Sequence, residues 1–287
     1  MAIVYLNGEF LDADKACVSV LDRGFIFGDG VYEVIPAYGG RLFRLEEHLR
    51  RLQNSLNGIG LQNPLSITQW TELLTEVLER NACDGDCSVY FQVTRGAATR
   101  DHIFPEKIVP TVYIMANPMP TIDIEQQAKG VSAILTEDIR WRFCNIKAIA
   151  LLPNILLRQQ AREAGAYEAL LHRDGIVTEG AASNLFIVLD NKIMTPKSSE
   201  AILPGITRDL ILEIGQADGL DCHEADISVA QLQSADEIWI TSSTKEILPI
   251  VELDNEPVGK GKAGPQWRKM LKRYQDYKQK LREGTAN

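Results

Sequence analysis

Residues 3–20 alternate apolar and polar positions around Asn7-Gly8, a pair suited to a tight hairpin turn, and predict two short antiparallel strands followed by a third. A second hairpin follows. It runs from Val31-Tyr32-Glu33-Val34-Ile35 through Gly39-Gly40, which supply positive φ, to Arg41-Leu42-Phe43. The period then changes: Leu45, Leu49, Leu52 and Leu56 recur at helical spacing, and residues 67–80 repeat the pattern with Thr68 as a candidate cap. Two β-rich runs, residues 88–93 and 111–115, complete an α+β sandwich, and Pro118 and Pro120 mark a linker.

Beyond the prolines the pattern starts again with a strand over residues 131–135, an irregular stretch to Ile149 and a helix from about Pro153, where proline suits the first turn. Short strands are predicted at 169–171, turning at Asp174-Gly175, at 185–189, turning at Asp190-Asn191, and at 237–240, ending in a Thr/Ser cluster. Helices are predicted at 206–217 and 266–281, the last with Trp267, Met270, Leu271 and Tyr274 on one side. The fold class is therefore α/β (α+β). A chain of 287 residues accommodates two domains, here 1–118, a linker at 119–125, and an α/β domain at 126–287.

Composition narrows the function. With 45% hydrophobic and 24% charged residues the chain reads as an ordinary folded protein, and a net charge of -9 argues against general nucleic-acid binding. Cys17, Cys83, Cys87, Cys144 and Cys222 are scattered and read as free thiols. His48, His102, His172 and His223 are dispersed and no H-E-x-x-H occurs, so no metal site is expected. The first residues lack a basic and then apolar leader pattern, and no run reaches the ~18 apolar residues of a membrane span. A soluble, cytoplasmic protein is the expectation.

Four features carry candidate chemistry. Lys147 stands among apolar neighbours in Cys144-Asn145-Ile146-Lys147-Ala148-Ile149, where desolvation favours the neutral amine that imine formation needs, although a snorkelling surface lysine gives the same pattern. Glu179 lies among small residues in Val177-Thr178-Glu179-Gly180-Ala181-Ala182-Ser183-Asn184; it could hold a proton on a ligand nitrogen or simply bind backbone amides. Gly205-Ile206-Thr207 enters a helix and offers free N–H groups to an anion, as an ordinary capped helix also does. Ser242 and Ser243 sit in a Thr/Ser turn after a strand and offer hydroxyls and amides to phosphate oxygens.

Taken in this order over essentially the whole chain, these features resemble the fold-type IV pyridoxal-phosphate (PLP) enzymes, the class IV aminotransferases. The resemblance implies that Lys147, carried by the second domain, binds PLP as a Schiff base and that Glu179 pairs with the pyridine nitrogen. It also implies that Arg51, in His48-Leu49-Arg50-Arg51-Leu52, joins Gly205, Ile206, Thr207, Ser242 and Ser243 in holding the phosphate. A homodimer is the family's usual assembly.

Within that family, Arg100-x-His102, flanked by Thr94-Arg95-Gly96 and Phe104-Pro105-Glu106, looks like the carboxylate trap of D-amino acid aminotransferases, with Tyr32 at the matching tyrosine position. A guanidinium helped by further donors suits an α-carboxylate. The implied reaction is ping-pong transfer of an amino group between a D-amino acid, such as D-alanine or D-glutamate, and a 2-oxo acid, such as 2-oxoglutarate or pyruvate. An L-branched-chain aminotransferase and an aminodeoxychorismate lyase share the fold and stay open as alternatives. A non-enzymatic phosphate- or nucleotide-binding module is more distant, since neither a P-loop nor a strand-linked G-x-G-x-x-G is present.

Overall fold

The computed structural model describes residues 2–83, 85–120 and 122–285. Its contacts group the chain into two compact units, one of residues 1–121, 146–150 and 280–287, the other of residues 122–145 and 151–279. Thr121, inside the expected linker, lies outside the described residues.

In the first unit, β1 (Ile3–Leu6) and β2 (Glu9–Asp12) form the hairpin at Asn7-Gly8, both residues taking positive φ. The third strand expected by residue 20 is absent: residues 13–15 form a single 3-10 turn, and the chain continues irregularly to α1 (Arg23–Phe27). Exposed Val18 and Val20 supply the alternation there without a partner strand. Next come β3 (Gly30–Tyr38), β4 (Arg41–Leu42), α2 (Leu45–Gly58), α3 (Ile67–Arg80), β5 (Cys87–Thr94) and β6 (Thr111–Pro118). Among the described residues, six strands lie in the order β2-β1-β6-β5-β3-β4. Pro118 is the last residue of β6 and pairs with Cys87, a strand end being a place that tolerates proline.

Ser66, not Thr68, caps α3: its hydroxyl accepts from Gln69 N at 3.3 Å and the Gln69 side chain accepts from Ser66 N at 2.9 Å, a reciprocal capping box. Trp70, Leu74, Val77 and Leu78 of α3 join Leu49, Leu52 and Leu56 of α2 against Val31, Ile35, Val89 and Phe91 of the sheet. Burying each such side chain contributes about 1.5–3 kcal/mol.

Strand alternation decides where the chemistry of this unit sits. Val31, Glu33, Ile35 and Ala37 of β3 are all buried, whereas Tyr32 and Val34 between them are half-buried on the opposite side. Glu33 therefore occupies a position that the pattern reserves for an apolar residue.

The second unit contains α4 (Ile124–Gln127), β7 (Val131–Glu137), α5 (Leu152–Glu163), β8 (Glu168–Arg173), β9 (Ile176–Gly180), β10 (Asn184–Leu189), β11 (Lys192–Pro196), α6 (Ile206–Ala217), β12 (Cys222–Ala225), α7 (Val229–Gln233), β13 (Glu237–Ser242), β14 (Glu246–Leu253), β15 (Glu256–Pro257) and α8 (Pro265–Arg282). Residues of α8 from Lys280 onward group with the first unit. The sheet runs β12-β11-β10-β13-β14-β7-β8-β9, with β15 pairing β14; β7 is parallel to both its neighbours and β11 to β12, the other pairs being antiparallel. Its core gathers Leu170, Leu185, Ile187, Ile238, Ile240 and Ile250. Trp267, Met270, Leu271 and Tyr274 of α8 are buried together, as their spacing requires.

Candidate active site

Lys147 lies in the short segment 146–150, which groups with the first unit although the sequence places it in the second half of the chain. β4 pairs with β3 at Ala37 and Tyr38, which leaves the edge at Gly30–Tyr32 open to another segment. The lysine segment takes that edge: Tyr32 N donates to Lys147 O at 3.0 Å, Ile149 N donates to Gly30 O at 3.1 Å, and Lys147 N donates to Ser55 Oγ of α2 at 3.1 Å. Half-buried Lys147 thus points its Nζ at the Tyr32 ring, 4.2 Å from the centroid.

Arg51 and His48 project from α2 onto buried Glu33. Arg51 Nε donates to Oε1 at 2.8 Å, Arg51 Nη2 donates to Oε2 at 2.7 Å, and His48 Nδ1 lies 2.8 Å from Oε2. Burial alone would raise the Glu33 pKa, but the Arg51 charge and the hydrogen bonds from Arg51 and His48 outweigh it and hold the carboxyl far below its ordinary range. The His48 pKa is lowered as well, burial outweighing the pull of Glu33. Its Nε2 is buried with no hydrogen-bond partner among the described residues.

Arg100 and His102 are exposed, on the loop between β5 and β6. Both lean on Phe27: the Arg100 guanidinium is 5.4 Å from the ring centroid and the His102 ring 5.4 Å from it. Within the described residues no hydrogen bond or ring contact joins either of them to Tyr32.

In the second unit, Glu179 ends β9 and is buried. Arg140 pairs with its Oε1, while its Oε2 accepts from Asn184 Nδ2 at 2.9 Å and from Leu203 N at 3.1 Å. Burial raises the Glu179 pKa, opposed by Arg140. Arg140 is fixed in turn by Asp138, its Nε donating to Oδ1 and its Nη2 to Oδ2, each at 2.8 Å. Those contacts hold the guanidinium charged, against its burial.

Gly205 caps α6, and Asn184 explains the glycine: a Cβ there would overlap Asn184 Oδ1. The same asparagine donates to Leu203 O at 2.8 Å. Asn184 pairs with Thr241 across β10 and β13, and α6 packs on β13, so the helix start lies by the Thr241–Ser242–Ser243 turn. Thr207 Oγ1 and Thr241 Oγ1 are buried there, with no partner among the described residues. Ser242 Oγ accepts from Lys245 N at 3.2 Å, which closes the turn.

These features suit pyridoxal phosphate. The two orphaned hydroxyls and the open N–H groups of α6 match an anionic phosphate, and a buried acid matches a protonated ring nitrogen. Among the described residues no His/Cys/Asp/Glu group could hold a metal ion.

Residues 30–253 match the family model for amino-transferase class IV. The chain belongs to the class IV aminotransferases. As such it is a PLP-dependent transaminase, and its relatives are consistent along their length. It is 41% identical to D-alanine aminotransferase of Bacillus licheniformis over 91% of this chain and 92% of that one. It is also 41% identical to the Staphylococcus epidermidis enzyme of the same name over 96% and 98%. Among solved structures, the branched-chain aminotransferase from Thermoproteus uzoniensis with norvaline superposes with a TM-score of 0.88 at 28% identity, covering 99% of this chain and 96% of that one. A PLP-bound hypothetical aminotransferase from Mycobacterium tuberculosis has a TM-score of 0.83 at 25% identity, covering 99% and 98%.

Sequence reasoning on this class IV aminotransferase missed Asn184, Arg140, Ser55 and Glu33. Asn184 stood inside the Glu179 segment and Glu33 broke an apolar alternation, which was a usable signal. Arg140 and Ser55 carried none, because only the folded chain brings them to Glu179 and Lys147.

Proposed function

We propose that this aminotransferase acts on D-amino acids, passing the amino group to a 2-oxo acid such as 2-oxoglutarate or pyruvate in two successive half-reactions. The observation that carries the reading is the Arg100-x-His102 loop in a chain 41% identical to enzymes named D-alanine aminotransferase. The branched-chain structure is more distant at 28% identity.

Bound pyridoxal phosphate supplies an electron sink and carries the amino group between the half-reactions. Lys147 would hold the cofactor through its Nζ, and its amine would supply the base that takes the proton from the substrate Cα. Glu179 would hold a proton on the ring nitrogen, with Arg140 and Asn184 keeping its carboxylate in place. Gly205, Ile206, Thr207, Ser242 and Ser243 would hold the phosphate, the role the resemblance also gives to Arg51. Tyr32, Arg100 and His102 receive the α-carboxylate, and fixing that group leaves only one enantiomer able to present its Cα–H to the lysine.

The assembly we propose is a homodimer in which a second copy completes the carboxylate trap. Leu21 and Phe25, and Ile103, Phe104 and Val109 of the β5–β6 loop, are exposed in the first unit, and exposed apolar side chains suit an interaction surface. A cytoplasmic setting fits a chain in which no described helix is long and apolar enough to cross a membrane, and the net charge of -9 suits small substrates rather than nucleic acid.

Adding D-alanine and L-alanine separately to the purified yellow enzyme tests the reading. D-alanine should bleach the visible cofactor band and L-alanine should not. Bleaching by L-amino acids alone would place the chain with the L-selective branch.

A further inference from the structure

We propose that Arg23 is a positioning residue for substrate recognition: it holds the Arg100–His102 loop in the shape that receives a substrate carboxylate. The proposal rests on the reading of that loop given above. Arg23 is only 4% exposed although the loop above it is open to solvent. Its Nη1 donates to Asp101 O at 2.6 Å and to Ile103 O at 3.4 Å, the two carbonyls on either side of His102.

Such a grip needs an anchored guanidinium. Asp29 Oδ2 accepts from Arg23 Nε at 2.7 Å and from Arg95 Nε at 2.8 Å. Arg95 is tied in turn to the end of α2, donating from Nη2 to Ile59 O at 2.7 Å, and its guanidinium covers the Phe104 ring at 3.6 Å. An Arg–Asp–Arg unit, its two arginines buried, therefore joins α1, the residue before β3, the end of α2 and both sides of the loop.

The base of the loop is fixed by the same helix start. Arg23 N donates to Gly96 O at 2.9 Å and Ala98 N to Leu21 O at 3.2 Å. Gly96 has φ +85 and could not carry a Cβ, which would overlap Val109 O. Mid-loop, the guanidinium of Arg23 lies 4.8 Å from the Phe27 ring on which Arg100 and His102 also rest. The backbone on both sides of His102 is thus set by Arg23, and with it the direction of the two side chains offered to substrate.

The test uses the purified holoenzyme with Arg23→Gln, Arg23→Lys and, as reference, Arg100→Leu. It reads KM and kcat for D-alanine, inhibition by the unreactive carboxylate propionate, and the visible absorbance of bound cofactor. Arg23→Gln should raise KM and the propionate inhibition constant together, about tenfold for a lost charge-assisted hydrogen bond, with kcat and cofactor absorbance little changed. Arg23→Lys, which keeps the charge but not the fork, should show a smaller rise in the same two constants, and it decides the matter if the Gln variant does not fold. Unchanged constants in the Arg23 variants beside raised ones in Arg100→Leu would overturn the proposal and leave the trap standing. Constants unchanged in Arg100→Leu would instead remove the trap itself. A fall in kcat with loss of cofactor in Arg23→Lys would reduce Arg23 to scaffold and overturn the proposal as well.

Discussion

Asn184 donates one amide hydrogen to Glu179 Oε2 at 2.9 Å and the other to Leu203 O at 2.8 Å, so a single side chain sets the acid and the turn that leads into α6. Gly205 lies against the same amide. The proposed nitrogen and phosphate contacts of the cofactor are thereby spaced by one residue. Gly205→Ala should displace Asn184 and lower cofactor affinity about tenfold, since overpacking at a fixed contact costs about 1–3 kcal/mol. Equilibrium dialysis against pyridoxal phosphate measures it, and unaltered affinity would dissociate the turn from the phosphate.

Glu179→Gln should keep the fold, because Arg140 retains Asp138 as a partner. A neutral amide cannot stabilise a protonated ring nitrogen as a carboxylate does, so kcat should fall on the order of 100-fold. Steady-state turnover with D-alanine reports this; a near-normal rate would take the acid out of the chemistry.

Glu33 makes the pH dependence of stability predictable. Its folded pKa lies far below the ordinary 4.5, so its contribution is fully present above pH 4.5 and is lost progressively as pH falls below it. Glu33→Gln leaves Arg51 buried beside a neutral partner and should cost about 3–5 kcal/mol at pH 7. Thermal melts of both proteins from pH 7 down to about 3 should show the gap narrowing only in the acid range. A gap independent of pH would mean that the charge of Glu33 contributes nothing.

The dimer is open to a direct measurement. Phe25 is 77% exposed and Ile103 76%. Sedimentation should give twice the 32.0 kDa chain mass for the native protein. Phe25→Asp should shift it toward the monomer, with loss of turnover at enzyme concentrations where the native dimer persists. A fully active monomer would contradict completion of the trap by a second copy.

Hydrophobic periodicity exposed most elements of the fold, and the span of α6, residues 206–217, follows directly from it. It misled at residues 13–20, where alternating side chains have no partner strand to pair with. It placed the cap at Thr68, which lies inside α3, whereas Ser66 makes the reciprocal bond with Gln69. Lys147 and Glu179 stand out as candidates, a lysine among apolar residues and an acid among small ones, but their roles come from the family resemblance and not from that pattern. Ser55, Arg140 and Arg23 do not stand out, because each acts through a partner remote in sequence. Arg23 and Asp101, 78 positions apart, show why local pattern could not reveal them.

The central claim is that Lys147 carries the cofactor. Borohydride reduction of the holoenzyme followed by mass mapping of its peptides should find a phosphopyridoxyl adduct on Lys147, and Lys147→Ala should yield neither adduct nor turnover. An adduct on another lysine, or turnover retained in Lys147→Ala, would contradict the account.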